Sequence, residues 1–178
     1  MKKKLLILLL SFTLFACAST TEESEITITI PADYLSSQIT QEQADKEKEE
    51  NGYQSATVNE DGSITYVMSK EVHEKMMTSI QSKFVSTIDS MKTNEKYTNI
   101  KDITYNDDFT EFTVSLKGST YNSDEEYTTV LFYVMGQYYN AFNNKEVNDI
   151  TVTFVNSNTN ETVKEKHLSD LNKEKSEA

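Results

Sequence analysis

The 178 residues carry seventeen lysines and no arginine against twenty-nine acids, a formal charge of −12, with 37% hydrophobic and 26% charged side chains. That length and balance suit one soluble domain, and the charge argues against nucleic acid as a partner, because a phosphate-backbone binder needs a basic face. One Cys, two His, four Gly, one Pro and no Trp exclude a disulfide framework, cysteine-based zinc sites and glycine-rich nucleotide loops, so no cofactor is expected.

Lys2, Lys3 and Lys4 open the chain, and Leu5 to Phe15 is apolar except at Ser11 and Thr13, the pattern of a secretory signal too short for a span of roughly 20 residues. The run ends in Leu14-Phe15-Ala16-Cys17, which resembles the lipobox of bacterial lipoprotein signals. That resemblance implies removal of residues 1–16, acylation of Cys17 and residence on the outer face of the cytoplasmic membrane. Processing takes three lysines, leaving fourteen against twenty-nine acids, a charge of −15. Lipid rather than charge must then hold the protein, and two acyl chains suffice where one is marginal. Residues 17–24 read as a polar tether of at most roughly 25 Å.

Ile26, Ile28 and Ile30 alternate with Thr27 and Thr29 up to Pro31, the period of a half-buried strand. Thr40-Gln41-Glu42-Gln43 is a capping box and Asn51-Gly52 a helix stop, so a short, highly charged surface helix runs from about Gln41 to Glu50. Tyr53 to Val58 and Ser63 to Met68 flank the Asn59-Glu60-Asp61-Gly62 turn as a hairpin, and that turn lacks the ligand spacing of a calcium loop. From a Ser69 cap, Val72, Met76, Met77, Ile80, Phe84, Val85, Ile88 and Met91 mark a long amphipathic helix. Ile100 to Tyr105 and Phe112 to Leu116 predict a second hairpin. Ser123-Asp124-Glu125-Glu126 reads as a capping box, and Tyr127 to Asn144 carries no charge. On a helical wheel Val130, Val134, Tyr127, Tyr138, Leu131, Phe142, Met135 and Phe132 fill an arc of about 200°, which predicts the buried side, while Gly136, Gln137 and Asn140 occupy the rest. Ile150 to Phe154 is a strand and Thr162 to Leu168 an edge strand. The expected class is α+β: an antiparallel sheet of about seven strands with two long helices packed on one face and one short surface helix, over residues 25–168, with 169–178 a disordered tail.

Catalytic signatures do not emerge. No nucleophile elbow, paired-histidine zinc motif or free thiol beyond Cys17 is present, and no metal site is expected. His73 lies at the centre of the apolar face in the first turn of the second helix, so a small hydrolase using His73 with an acidic partner is the alternative function; His167, in the edge strand, reads as a solvated side chain. Tyr133 falls on the less apolar arc with Thr129, Gln137 and Asn140, which makes Tyr133, Gln137 and Asn140 the expected binding surface.

Taken together, Ile28-Thr29-Ile30-Pro31-Ala32, Glu50-Asn51-Gly52-Tyr53, Asn59-Glu60-Asp61-Gly62-Ser63 and Asn144-Lys145-Glu146-Val147 with Val152-Thr153-Phe154-Val155-Asn156 resemble a family of small Gram-positive lipoproteins. The resemblance implies a cell-envelope location and assigns no activity. The expected function is that of a membrane-anchored extracytoplasmic binding or accessory module, with an envelope protein or glycan as partner and the lipid as its contact with the membrane.

Overall fold

The structure, a computed structural model, describes residues 24–35 and 37–171. Cys17, the signal segment, most of the expected tether and residues 172–178 lie outside them.

The chain is α+β, as its pattern predicts. Strand β1 (Glu25–Ile30) leads through a 3-10 turn at Ala32–Tyr34 to helix α1 (Gln41–Asn51). The hairpin β2 (Ser55–Val58) and β3 (Ile64–Ser69) follows, then α2 (Lys70–Thr93) and the hairpin β4 (Ile100–Tyr105) and β5 (Glu111–Leu116). Helix α3 (Ser123–Phe142) and strands β6 (Thr151–Asn156) and β7 (Thr162–His167) complete the order, and residues 168–171, expected as the end of the edge strand and the start of the tail, form a helical turn. The local signals act where they stand. Thr40 and Gln43 make the reciprocal capping box of α1, Gly52 closes that helix at φ 72°, and the Ser69 hydroxyl accepts from Val72 N at the start of α2. The cap of α3 is one residue earlier than expected: Asn122 and Glu125, not Ser123 and Glu126, exchange the two capping bonds.

The strands do not form one antiparallel sheet of seven. They make a three-stranded sheet ordered β1-β3-β2 and a four-stranded sheet ordered β4-β5-β6-β7, and within the second β5 and β6 run parallel. Both differences come from the long helices. Ser69 is at once the last residue of β3 and the cap of α2, so 24 helical residues carry the chain roughly 36 Å away before β4 begins. Helix α3 then returns the chain across its sheet, so β6 enters in the same direction as β5, which no short turn permits.

Each sheet has its own apolar cluster, and α2 serves both. Ile28, Ile30, Ile64, Tyr66 and Met68 gather with Met77 and Ile80 of α2, whereas Phe112, Val114, Leu116, Val152 and Phe154 gather with Ile88 and Met91. A chain of rings joins them: Tyr66 stacks near Phe142 at 6.4 Å, Phe142 on Tyr138 at 4.5 Å, Tyr138 on Phe84 at 6.2 Å, and Phe84 edge-on to Phe109 at 5.6 Å.

Helix α3 is rotated part of the way round from the expected orientation. Phe132, Met135 and Phe142 are buried as expected, and Thr128, Thr129, Tyr133, Gly136 and Asn140 are buried with them, while Tyr127, Val130 and Val134, expected inside, are 54%, 48% and 55% exposed. Close approach decides this. A Cβ on Gly136 would sit 2.3 Å from the Phe109 carbonyl oxygen and 2.6 Å from Ile150 Cδ1, so only glycine lets the helix settle onto the turn between β4 and β5. Phe132 stacks flat on Phe112, with centroids 4.3 Å apart. The polar residues on this side are satisfied locally: the Thr128 and Thr129 hydroxyls donate to the carbonyls of Asp124 and Glu125, and Asn140 Nδ2 donates to the carbonyls of Asp108 and Gly136.

Candidate functional site

Of the three residues expected to form a surface, Tyr133 and Asn140 are therefore interior, 4% and 2% exposed, and only Gln137 reaches the outside. The outward arc of α3 is instead Tyr127, Val130, Val134, Gln137 and Ala141, an apolar stripe interrupted by one amide. Lys96 Nζ lies 4.5 Å from the Tyr127 ring centroid at its N-terminal end.

At the other end the stripe opens into a cleft of about 440 Å³. Gln137 and Ala141 form one wall, Thr29 and Pro31 at the end of β1 with Tyr34 form the second, and the loop from Asn144 to Asn148 forms the third. Local chemistry shapes each wall. Pro31 ends the strand and starts the 3-10 turn that presents Tyr34, whose hydroxyl stands 3.5 Å from Gln137 Nε2. Asn144 takes the left-handed conformation at φ 54°, which turns the chain from α3 into the loop. Lys145 is engaged with Asp108 at 2.7 Å, and the lysine is held above its usual range chiefly by that bond. Among the described residues Glu146 is then the sole carboxylate lining the cleft. Amides, hydroxyls and one tyrosine can hold a ligand by hydrogen bonding and apolar contact, with Glu146 and the Asp108-bound Lys145 as the charged groups of the lining.

His73 lies elsewhere. Its Nε2–H donates to the Phe142 carbonyl at 2.8 Å, so it caps the C-terminal end of α3 and does not line the cleft. That bond goes to a main-chain carbonyl rather than to a carboxylate. His167 keeps a side chain 36% exposed, but it is not merely solvated. Its Nδ1 is 2.9 Å from Asp149 Oδ2 and 3.3 Å from Thr151 Oγ1, and its Nε2 is 3.2 Å from Glu165 Oε1. The bond to Asp149 raises the imidazole above its usual range, against the opposing effect of burial, and Glu165 adds to the rise. Burial works to raise Asp149 in turn, but the bonds from Ser169 N and His167 outweigh it and hold the carboxyl low. The two carboxylates sit on opposite ring nitrogens and do not converge, so this is an ionic clasp of β7, and among the described residues no group of three or more His, Cys, Asp or Glu could hold a metal ion. Asp149 lies in a loop eighteen residues from His167, and nothing in the sequence marks the pair in advance.

No helix among the described residues is long and apolar enough to cross a membrane. Comparison with protein-family models, with curated proteins and with solved structures returns no match.

Proposed function

We propose that the chain is a lipid-anchored, extracytoplasmic module of the cell envelope, of the Gram-positive lipoprotein kind that its sequence resembles, and that it acts by binding rather than by catalysis. The observation that carries the reading is the exposed stripe of Tyr127, Val130 and Val134 leading into a cleft lined by Tyr34, Gln137 and the loop beyond Asn144. A soluble domain that turns three large apolar side chains of one helix to water, while burying threonines and an asparagine on the other side, keeps that face for a partner, an envelope protein or a glycan. The leader ending in Cys17 supports the location, and the acidic surface supports anchoring by lipid alone.

Two measurements test this. Cys17→Ala is expected to shift the protein from the membrane fraction to the medium or to leave it unprocessed; equal membrane retention would refute the anchor. With the intact lipoprotein as bait in native envelope extracts, the captured partner is expected to be lost with Val134→Asp, and an empty capture against both proteins and cell-wall glycans would refute the binding role.

A further inference from the structure

Among the described residues, three of the four sheet edges are guarded. The Gln41 side chain donates to Ala56 O at 2.8 Å and accepts from Val58 N at 3.0 Å, standing in for a strand beside β2. Strand β4 carries a bulge between Ile100 and Asp102, with Lys92 bridged to Asp102, and β7 carries Lys164 and Lys166. Among the described residues, strand β1 carries only Glu25, at its first position.

Its free backbone groups can be identified. Val67 O and Ser63 O accept from Gln54 N and Asn59 N on the β2 side, so Ile64, Tyr66 and Met68 turn their backbone groups to β1 and pair with Ile30, Ile28 and Ile26. By the same alternation Thr27 and Thr29 turn theirs outward, and both residues are exposed.

We propose that this edge pairs with β1 of a second copy, antiparallel about a two-fold axis at Ile28. The proposal rests on the binding face assigned above and names its partner. The strand reads Ile26-Thr27-Ile28-Thr29-Ile30, the same in both directions. A two-fold pairing therefore sets Thr27 opposite the other copy's Thr29 twice over, each pair exchanging two N–H···O=C bonds, and Ile26 opposite Ile30. All the isoleucines stay on the core side and all the threonines on the outer side, where Thr29 and Thr65 already stand with their hydroxyls 3.0 Å apart. The outward arc of α3 opens on the same space, because Gln137 and Ala141 share the cleft with Thr29 and Pro31. Charge does not oppose the contact: Glu25 is the one charged residue of β1, and the arc has none, so the net −15 of the processed chain is carried elsewhere. With a strand edge and a third to a half of two tyrosines and two valines outside, the face offers on the order of 600–800 Å², the area a standard interface takes from each partner.

The register makes the test specific. Opposed hydrogen-bonded residues lie about 5.5 Å apart at Cα, inside the range of a disulfide, whereas equivalent threonines of the two copies are offset by two residues, about 8 Å or more. Two differently tagged full-length chains, one Thr27→Cys and one Thr29→Cys, are co-expressed and their membranes oxidised. A mixed covalent dimer is expected, with neither variant alone, nor Thr57→Cys on the guarded β2 edge, exceeding the wild-type background. Val134→Lys is expected to reduce the mixed dimer at least tenfold while the denaturation midpoint holds. Native mass spectrometry of the detergent-extracted wild-type protein should show the dimer mass. Absence of the mixed dimer together with a monomer mass overturns the proposal, as does equal cross-linking in every combination. If Val134→Asp still abolishes envelope capture in that case, the binding role stands with a different partner.

Discussion

Replacing Gly136 with alanine tests the contact that orients α3. In a free helix the change is favourable by about 1 kcal/mol, because glycine is the more flexible residue. Here the new Cβ meets the Phe109 carbonyl oxygen at 2.3 Å and Ile150 Cδ1 at 2.6 Å. The isoleucine tip can rotate, but the carbonyl belongs to a residue already in the left-handed region, at φ 53°, and fully buried. The helix must therefore lift, at a cost of about 1–3 kcal/mol for overpacking. Lifting also stretches the bond from Asn140 to the Asp108 carbonyl, and a buried amide that loses its partner costs about 1–3 kcal/mol more. After the helical gain the net loss is about 1–5 kcal/mol, and at the midpoint of about 3 kcal/mol the fall in Tm is about 6–12 °C for a domain of this size. Urea and thermal denaturation followed by circular dichroism measure it, with Gly118→Ala as the comparison, since nothing lies within 4 Å of a Cβ there. A Gly136→Ala protein as stable as the wild type would refute the close-packed account of α3.

The rotated helix makes a paired prediction: Val134→Asp should change stability by no more than about 0.5 kcal/mol, as surface substitutions do, whereas Tyr133→Ser should cost about 3–5 kcal/mol as a large-to-small core change, both read as denaturation midpoints. The His167 clasp makes stability depend on pH. The raised imidazole contributes fully below its unfolded value of about 6.5 and loses that contribution as pH rises through its higher folded value; the lowered Asp149 contributes above about 4 and loses it as pH falls through its folded value. Tm should therefore be higher at about pH 5.5 than at about pH 8.5, and His167→Gln should flatten that difference, while an equal slope in both proteins would show that the clasp is energetically idle.

Much of the fold is legible because local chemistry is decisive where it appears. The alternation from Ile26 to Ile30, the Thr40 and Gln43 capping box, the Gly62 turn and the repeat from Met77 to Met91 each specify their element. Facing is a different matter. The apolar arc of α3 points to Val130 and Val134 as core, yet the sheet takes the side with Gly136, because a helix gains more from approaching a curved turn closely than from burying two valines at a distance. Thr128 and Thr129 read as polar in composition, but their hydroxyls bond to the carbonyl four residues back, which makes their outer surfaces apolar. That rotation moved the expected binding surface from Tyr133 and Asn140 to Tyr127, Val130 and Val134, leaving Gln137 common to both. The division into two sheets depends on where two long helices deliver the chain, which no window of neighbouring residues records.

Because the ring chain from Tyr66 to Phe109 passes through both long helices, neither sheet owns its cluster outright. The two halves share α2 as a common wall and should come apart together: amides in the middle of α2, between Ile80 and Ile88, would exchange with solvent only in the global opening, and loosening one sheet would be felt at once by the other. A pull or a bound partner at β1 is thereby transmitted to the far hairpin at β7 as a change in the whole domain's opening equilibrium rather than as a local fraying.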